Sequence, residues 1–377
     1  MPMKAYKYRI YPTKAQAKKF EQWLDICCEL YNAALQERRD AWRVAKKSVN
    51  YTEQCRQLTE VKEFRDDIRA IPVIVLRDPL RRLDKAFRDF FRRVKIGGKP
   101  GHPRFRSRFR YRSFAYVQDE GFSIEKGKLK LYKIGHVKIR LHRQAEGKIK
   151  NLTISHSPTG KWYACLTAEV EDAWLAQSSE QIGIDCGLEK FAALSSGEFI
   201  ENPRYLRKGE KALAKAQRKL SEAACVSPER AKRRRVVARI YERIKNCRRN
   251  FAHQHSRKLV NKFGFIAFEN LNIKGMVQNS RLAKSISDAA WGQLITLTTY
   301  KAEWAGRSVV LVDPRNTSKK CSGCGEMVKK DLSERLHDCP SCGLVLDRDL
   351  NAAKNILALG LQGLDQIPKS LALISKE

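Results

Sequence analysis

The chain has 377 residues, 42% of them hydrophobic, which is enough to bury the cores of two or three domains and excludes wholesale disorder. Its 75 Lys+Arg against 41 Asp+Glu leave a formal net charge of +34, a load that repels itself in a compact monomer and calls for a polyanionic partner, nucleic acid before a membrane surface. No apolar stretch approaches spanning length, residues 1–7 lack the apolar run of a signal peptide, and no G-x-x-x-x-G-K-[ST] loop points to ATP-driven chemistry.

In chain order, Tyr6, Tyr8 and Ile10 alternate with basic residues and predict a short strand over 4–11. Thr13 and Gln16 form a capping-box signature for the helix that follows, in which Phe20, Trp23, Leu24, Cys27, Tyr31, Ala34 and Leu35 recur at helical spacing. Helical patterning continues to about residue 95, so 12–95 is expected to be a helical lobe. The Gly/Pro-rich stretch 97–103 ends it.

Arg104, Arg106, Arg108, Arg110 and Arg112 then alternate with Phe105, Phe109 and Tyr111. In extended chain that parity would make a guanidinium row backed by aromatics, suited to a phosphate backbone. A solvated edge strand is the plain alternative. Alternating segments continue to about residue 172, and with the first strand they predict a small β-barrel over 1–11 and 96–180.

From residue 181 the pattern changes. Apolar strands are expected at 182–187, 191–194, 265–271 and 308–313. Between the second and third lie two long basic helices, the later one opened by Ser227 as cap, Pro228 and Glu229. It carries Lys232, Arg233, Arg234 and Arg235, a block that by default is a solvated face and here reads as a candidate nucleic-acid track.

Eleven cysteines are present. Cys321, Cys324, Cys339 and Cys342 form two C-x-x-C pairs near zinc-ribbon spacing, a closed all-sulfur site for one structural zinc ion in 315–345. The other seven are odd in number and scattered, so no disulfides are expected and a reducing, cytoplasmic compartment is.

Three acids stand out: Asp185 inside an apolar strand, Glu269 ending another, and Asp349 opening a helix beyond the cysteines. A buried carboxylate needs a compensating charge, and magnesium, or manganese, takes hard oxygen ligands; two ions about 4 Å apart could activate water and stabilise the leaving oxygen. The order Asp, Glu, Asp matches RuvC-like nucleases and not the Asp, Asp, Glu of integrase-type transposases. On the residues alone Asp347 competes with Asp349, and either could simply cap the helix. His253 and His255 read as packing or surface residues, and Asp313 as a strand end.

The stretches Tyr8-Arg9-Ile10-Tyr11-Pro12-Thr13, Pro103-Arg104-Phe105, Gly160-Lys161-Trp162-Tyr163, Gly183-Ile184-Asp185-Cys186-Gly187, Phe268-Glu269-Asn270-Leu271, Asp313-Pro314-Arg315-Asn316-Thr317-Ser318, and the cysteine pairs through Asp349-Leu350-Asn351-Ala352-Ala353 occur in the order of the TnpB family, which this chain closely resembles. The resemblance implies an RNA-guided DNA endonuclease of a prokaryotic transposable element, related to type V CRISPR effectors. Its fold would be mixed α/β and α+β: a wedge-like β-barrel with an inserted helical recognition lobe, then a RuvC nuclease of RNase H type (181–314 and 346–377) interrupted by the zinc ribbon. It also implies a structured guide RNA encoded by the element, bound one protein per RNA, and a double-stranded DNA target beside a short transposon-adjacent motif. In the family pattern the third acid is the Asp of D-x-N-A-A, which selects Asp349. A non-cleaving guided repressor and a transposase or transposase accessory protein are the competing readings. A location at the nucleoid follows from the same resemblance.

Overall fold

The computed structural model describes residues 2–117, 121–125, 127–171, 174–331 and 334–365. They fall into two compact units, Met1–Glu171 and Asp172–Glu377.

The first unit contains β1 (Met3–Tyr11), α1 (Lys14–Ala45), α2 (Tyr51–Phe64), α3 (Asp66–Arg69), α4 (Val73–Lys95), β2 (Ser113–Val117), β3 (Phe122–Glu125), β4 (Lys128–Leu131), β5 (Gly135–Arg140), β6 (Lys148–His156) and β7 (Trp162–Glu169). The seven strands form one antiparallel sheet in the order β2-β6-β7-β1-β5-β4-β3. β1 alternates as its sequence predicts, burying Tyr6, Tyr8 and Ile10. The sheet curls until its edges approach: the Tyr116 ring of β2 lies 6.4 Å from Phe122 of β3. Its strand ladder is nevertheless open among the described residues, so the expected barrel is a curled sheet. Helix α1 starts with the capping box foreseen, Thr13 Oγ1 accepting from the Gln16 amide at 3.2 Å and Gln16 Oε1 from the Thr13 amide at 3.0 Å. Phe20 and Trp23 of α1 pack on Phe114 and Trp162 of the sheet, so helices and strands share one core.

The guanidinium row does not form. Residues 101–112 contain no strand, and a turn occupies 108–110. Tertiary contacts outweigh the period-two pattern. Asn32 of α1 clamps the backbone of Arg106 on both sides, at 2.8 and 2.9 Å, and the amides of Arg110 and Tyr111 turn back to the Ser107 carbonyl. Tyr111 is buried, while Phe105 and Phe109 are exposed instead of backing a sheet.

The second unit contains β8 (Gln181–Cys186), β9 (Lys190–Leu194), β10 (Phe199–Glu201), α5 (Tyr205–Glu222), α6 (Pro228–Lys262), β11 (Phe265–Glu269), α7 (Ile273–Met276), α8 (Ala283–Ala289), α9 (Trp291–Trp304), β12 (Ser308–Val312), β13 (Leu336–Asp338), β14 (Val345–Asp347) and α10 (Arg348–Asp365). Its main sheet runs β10-β9-β8-β11-β12, with the first three strands antiparallel and β8, β11 and β12 parallel. This is the RNase H-type order, three hairpin-linked strands followed by two parallel ones. β11 is buried along its whole length, as expected of a parallel strand covered on both faces. Ser227 caps α6, accepting from the Arg230 amide at 3.0 Å, with Pro228 at the first helical position. α10 lies across β8 and β11. A Cβ placed on Gly183 would sit 2.1 Å from the Ala353 carbonyl oxygen, and one on Gly360 would sit 2.9 Å from Ala267 Cβ. The small pair Ala352-Ala353 therefore lets the helix backbone rest directly on the strand.

Candidate active site and thiol cluster

Asp185 and Glu269 occupy the carboxyl ends of β8 and β11, which are paired in parallel with Phe268 opposite Ile184. In open α/β sheets that edge is where ligands collect. α10 runs back from there: residues 353 and 357 meet Gly183, and Gly360 meets Ala267. Its first turn therefore stands beside the two strand ends, with Asp349 Oδ2 3.9 Å from the Cβ position of Gly187.

The three carboxylates act on one another. Burial first, then the charges of Glu269, Asp349 and Asp347, push Asp185 well above the ordinary carboxylate range, with Arg348 opposing. No donor among the described residues hydrogen-bonds the Asp185 carboxylate. Glu269 is likewise raised by burial and by Asp349, although Thr317 Oγ1 donates to its Oε1 at 2.5 Å and works the other way. Asp349 is held by Arg348 Nη2 at 3.2 Å and faces Arg335 Nη1 at 3.8 Å. A partly buried, mutually repelling set of hard oxygens, one of them lacking a donor, has the chemistry to hold a divalent cation. The acid oxygens do not converge as closely as the four thiols.

Asp347 has other work. Its Oδ1 accepts from the amides of Asp349 (2.9 Å) and Leu350 (3.3 Å), making it the cap of α10, and its Oδ2 pairs with Lys190 at 3.0 Å. Burial pushes it up, but Lys190 and the two amides outweigh that and leave it below the usual range. Asp313 pairs with its neighbour Arg315.

The cysteines sit on two matching knuckles. Gly325 donates to the Cys321 carbonyl (3.0 Å) and Gly343 to that of Cys339 (2.9 Å), each glycine at positive φ (83° and 70°) just after its C-x-x-C. The four Sγ atoms lie within 4.8 Å of one another, with Cys321–Cys342 at 3.7 Å and Cys324–Cys339 at 3.6 Å. Tetrahedral Zn–S bonds of about 2.3 Å place sulfurs about 3.8 Å apart, so the set fits zinc and leaves no open position. Asn351, fully buried, ties α10 to this unit by donating to the Lys320 carbonyl (2.8 Å) and accepting from the Ser322 amide (2.9 Å). Asn355 adds bonds to the carbonyls of Thr317 and Lys320.

Of the basic residues singled out from sequence, Arg104, Arg106, Arg108, Arg110 and Arg112 are exposed, as are Lys232, Arg234 and Arg235. Arg233 instead holds the α5–α6 connection through Glu229, Glu222 and the Lys219 carbonyl. Sequence reading missed a cleft of about 720 Å³ against α1 and α4, where the exposed Trp42 and Phe91 stand among Arg39, Lys47 and His102. Their signal was an aromatic–basic mixture inside helices otherwise read for core packing. It also missed Thr317, whose role depends on a contact 48 residues away.

The RNase H-type sheet with acids at its carboxyl edge, joined to a four-thiol knuckle pair, defines a RuvC-like nuclease scaffold with an inserted ribbon. Family models match in three segments: "Helix-turn-helix domain" of OrfB_IS605 over residues 1–47, "Probable transposase" OrfB_IS605 over 165–280, and "Cas12f1-like, TNB domain" over 291–356. Within the first of these segments, Met3–Tyr11 form a strand and Lys14–Ala45 one 32-residue helix. A Streptomyces pristinaespiralis protein named "Putative RNA-guided DNA endonuclease" is 36% identical, covering 95% of this chain and 89% of the relative. The Escherichia coli K12 protein carrying the same description, InsQ, is 29% identical over 95% and 92%. A solved Cas12f1–sgRNA–target DNA complex matches with TM-score 0.62 at 16% identity, over 91% of this chain and 83% of that one. The mini-RNA-guided endonuclease CRISPR-Cas phi3 matches at 0.51 and 9% identity, over 96% and 92%. The chain belongs to the TnpB family.

Proposed function

We propose that this protein is an RNA-guided DNA endonuclease of a transposable element, cutting phosphodiesters with divalent cations held by Asp185, Glu269 and Asp349. The observation that carries the reading is the placement of these carboxylates on two adjacent strand ends and a helix start, where Glu269 and Asp349 raise the cost of charging Asp185 and Asp349 raises that of Glu269. Magnesium bound there would supply a water acidic enough to attack phosphorus and a Lewis acid for the leaving oxygen.

The protein's part is placement. β8 and β11 fix Asp185 and Glu269 side by side, and the close contact at Gly183 sets the height of Asp349. Thr317 orients Glu269 through one oxygen and leaves the other for a cation. Asp347 holds the first turn of α10 and keeps Lys190 at the rim, where its ammonium can meet a phosphate. The four cysteines hold a structural zinc that, through Asn351, braces the helix carrying the third acid.

A guide RNA would read the sequence of a double-stranded target, the protein supplying cationic surface and a short adjacent-motif contact. The exposed arginines at 104–112, Lys232, Arg234, Arg235 and the Trp42–Phe91 cleft are the surfaces we assign to nucleic acid, with one protein bound per RNA.

Expression with flanking element DNA, sequencing of the co-purifying RNA, and challenge with a target library randomised beside the matched sequence tests this. Magnesium-dependent cutting beside one short motif supports it. Guided binding without cutting in ample magnesium supports the repressor reading, and strand-joined products support the transposase.

A further inference from the structure

The buried residues of α1 end at Leu35 and those of α4 at Leu83, yet both helices run on, to Ala45 and Lys95. Extensions with no core to fill are expected to be polar. These two instead carry Trp42, Phe87, Phe90 and Phe91, of which only Phe87 still packs against the core. The three phenylalanines meet one another and His102 at ring separations of 5.1 to 6.4 Å. Arg93 Nη2 donates to the Gly101 carbonyl at 3.0 Å, which ties the segment carrying His102 to α4. With Trp42 these rings line the cleft of about 720 Å³, a volume typical of sites for small organic ligands. Trp42 and Phe91 remain 58% and 57% exposed.

The rim of the cleft is cationic. Asp40 and Asp84 pair with Arg43 and Arg88, at 3.3 and 3.2 Å, but Arg39 and Lys47 have no acid partner among the described residues. Arg38 lines the same cleft with a side chain only 8% exposed, and its Nη2 has no hydrogen-bond partner among the described residues. A buried guanidinium N–H in that condition calls for an acceptor. Open aromatic faces beside unpaired cations suit a planar group attached to an anion.

We infer that this cleft holds an unpaired nucleotide of the guide RNA, its base stacked on Trp42 or Phe91 and its phosphate met by Arg39 and Lys47. A duplex hides its base faces within its own stack, whereas the loops and bulges of a structured RNA expose them. Because every base has a π-face, such a cleft selects unpaired over paired nucleotides and tolerates any sequence. The inference rests on the guide-RNA reading and adds the part of the RNA that this lobe grips.

Two measurements test it. The native protein–RNA complex, before any target DNA is added, is irradiated with ultraviolet light and its crosslinked peptides are mapped by mass spectrometry. Nucleotide adducts on Trp42 or Phe91 are expected. The full-length chain, freed of its RNA at high salt, is then titrated with a single-stranded 12-nucleotide RNA, with the same ribose-phosphate chain lacking bases, and with a 12-base-pair RNA duplex. Trp42→Ala and Phe91→Ala, both at exposed positions, should each weaken single-strand binding by about 5–100-fold, the usual loss of one stacked base, and leave the other two probes unchanged. Trp42→Phe keeps a stacking face and should stay within a few-fold of wild type. Lys47→Gln should lower the salt slope for the single strand by about 0.7, the share of one phosphate contact. Wild-type single-strand affinity in both alanine variants, with crosslinks confined to other residues, would overturn the inference and leave RNA binding intact. A Trp42→Ala chain that binds RNA normally but changes from dimer to monomer in sedimentation would make the cleft an interface between copies, and would overturn it too. Failure of the wild-type chain to bind any of the three probes, and to retain RNA on purification, would instead remove the guide-RNA reading on which the inference stands.

Discussion

Gly183 of β8 lies so close to Ala353 of α10 that a Cβ on the glycine would stand 2.1 Å from the alanine's carbonyl oxygen. The same Cβ would sit 2.6 Å from the Leu357 amide nitrogen, so relief would require moving backbone rather than rotating a side chain. This contact ties the height of Asp349 to the strand carrying Asp185. Gly183→Ala is therefore expected to cost more than the usual ~1–3 kcal/mol of overpacking and to lower thermal stability. At temperatures where the variant remains folded it should also lose cleavage, because α10 must lift. Calorimetry and a cleavage assay on one preparation check both.

Asp347 and Asp349 are two residues apart and do different things, which substitution separates. Asp347→Ala removes a helix cap and should cost about 0.5–2 kcal/mol while retaining measurable cleavage. Asp349→Ala should leave stability nearly unchanged and abolish cleavage of a matched target. Equal loss of cleavage in both would remove the distinction drawn between cap and ligand.

The raised acids have a signed consequence for stability. A carboxyl whose folded pKa lies above its unfolded one binds its proton more tightly when folded. Metal-free stability from Asp185 and Glu269 should therefore decline as pH rises from about 4 through their folded values, and the penalty persists above them. Asp185→Asn should flatten that decline and, near neutral pH, raise the stability of the metal-free protein. Magnesium should remove much of the wild-type penalty and little in the variant. Denaturant melts across pH, with and without magnesium, measure this.

Thr317→Val keeps shape and removes the hydroxyl bonded to Glu269. Cleavage should fall by about 10–100-fold, as for other partners that orient a metal ligand, with zinc content unchanged. Cys339→Ser should do the reverse, lowering zinc to well below one ion per chain and destabilising the start of α10 through Asn351.

Much of this site was legible in the chain because its signals are local. An acid inside Ile182-Gly183-Ile184-Asp185 or closing Phe265–Glu269 is costly wherever those strands pack, and two C-x-x-C pairs need each other whatever surrounds them. The D-x-N-A-A run proved denser than read: Asn351 binds the first knuckle, and Ala353 meets Gly183. What failed was the arginine row, where period-two alternation is genuine but Asn32 and the burial of Tyr111 bend the chain. Alternation predicts a strand only when a neighbouring strand is free to pair with it. Thr317 was invisible for a related reason, since an ordinary hydroxyl gains meaning only from a partner distant in sequence.

The account's central claim, a shared cation site at Asp185, Glu269 and Asp349, is tested most directly by soaking crystals of the protein–RNA complex with manganese and measuring anomalous difference density. Peaks within coordination distance of all three carboxylates are expected, and they should vanish in Asp185→Asn. Manganese bound only at Asp347, or none at the ends of β8 and β11 in a complex that still cleaves DNA, would contradict it.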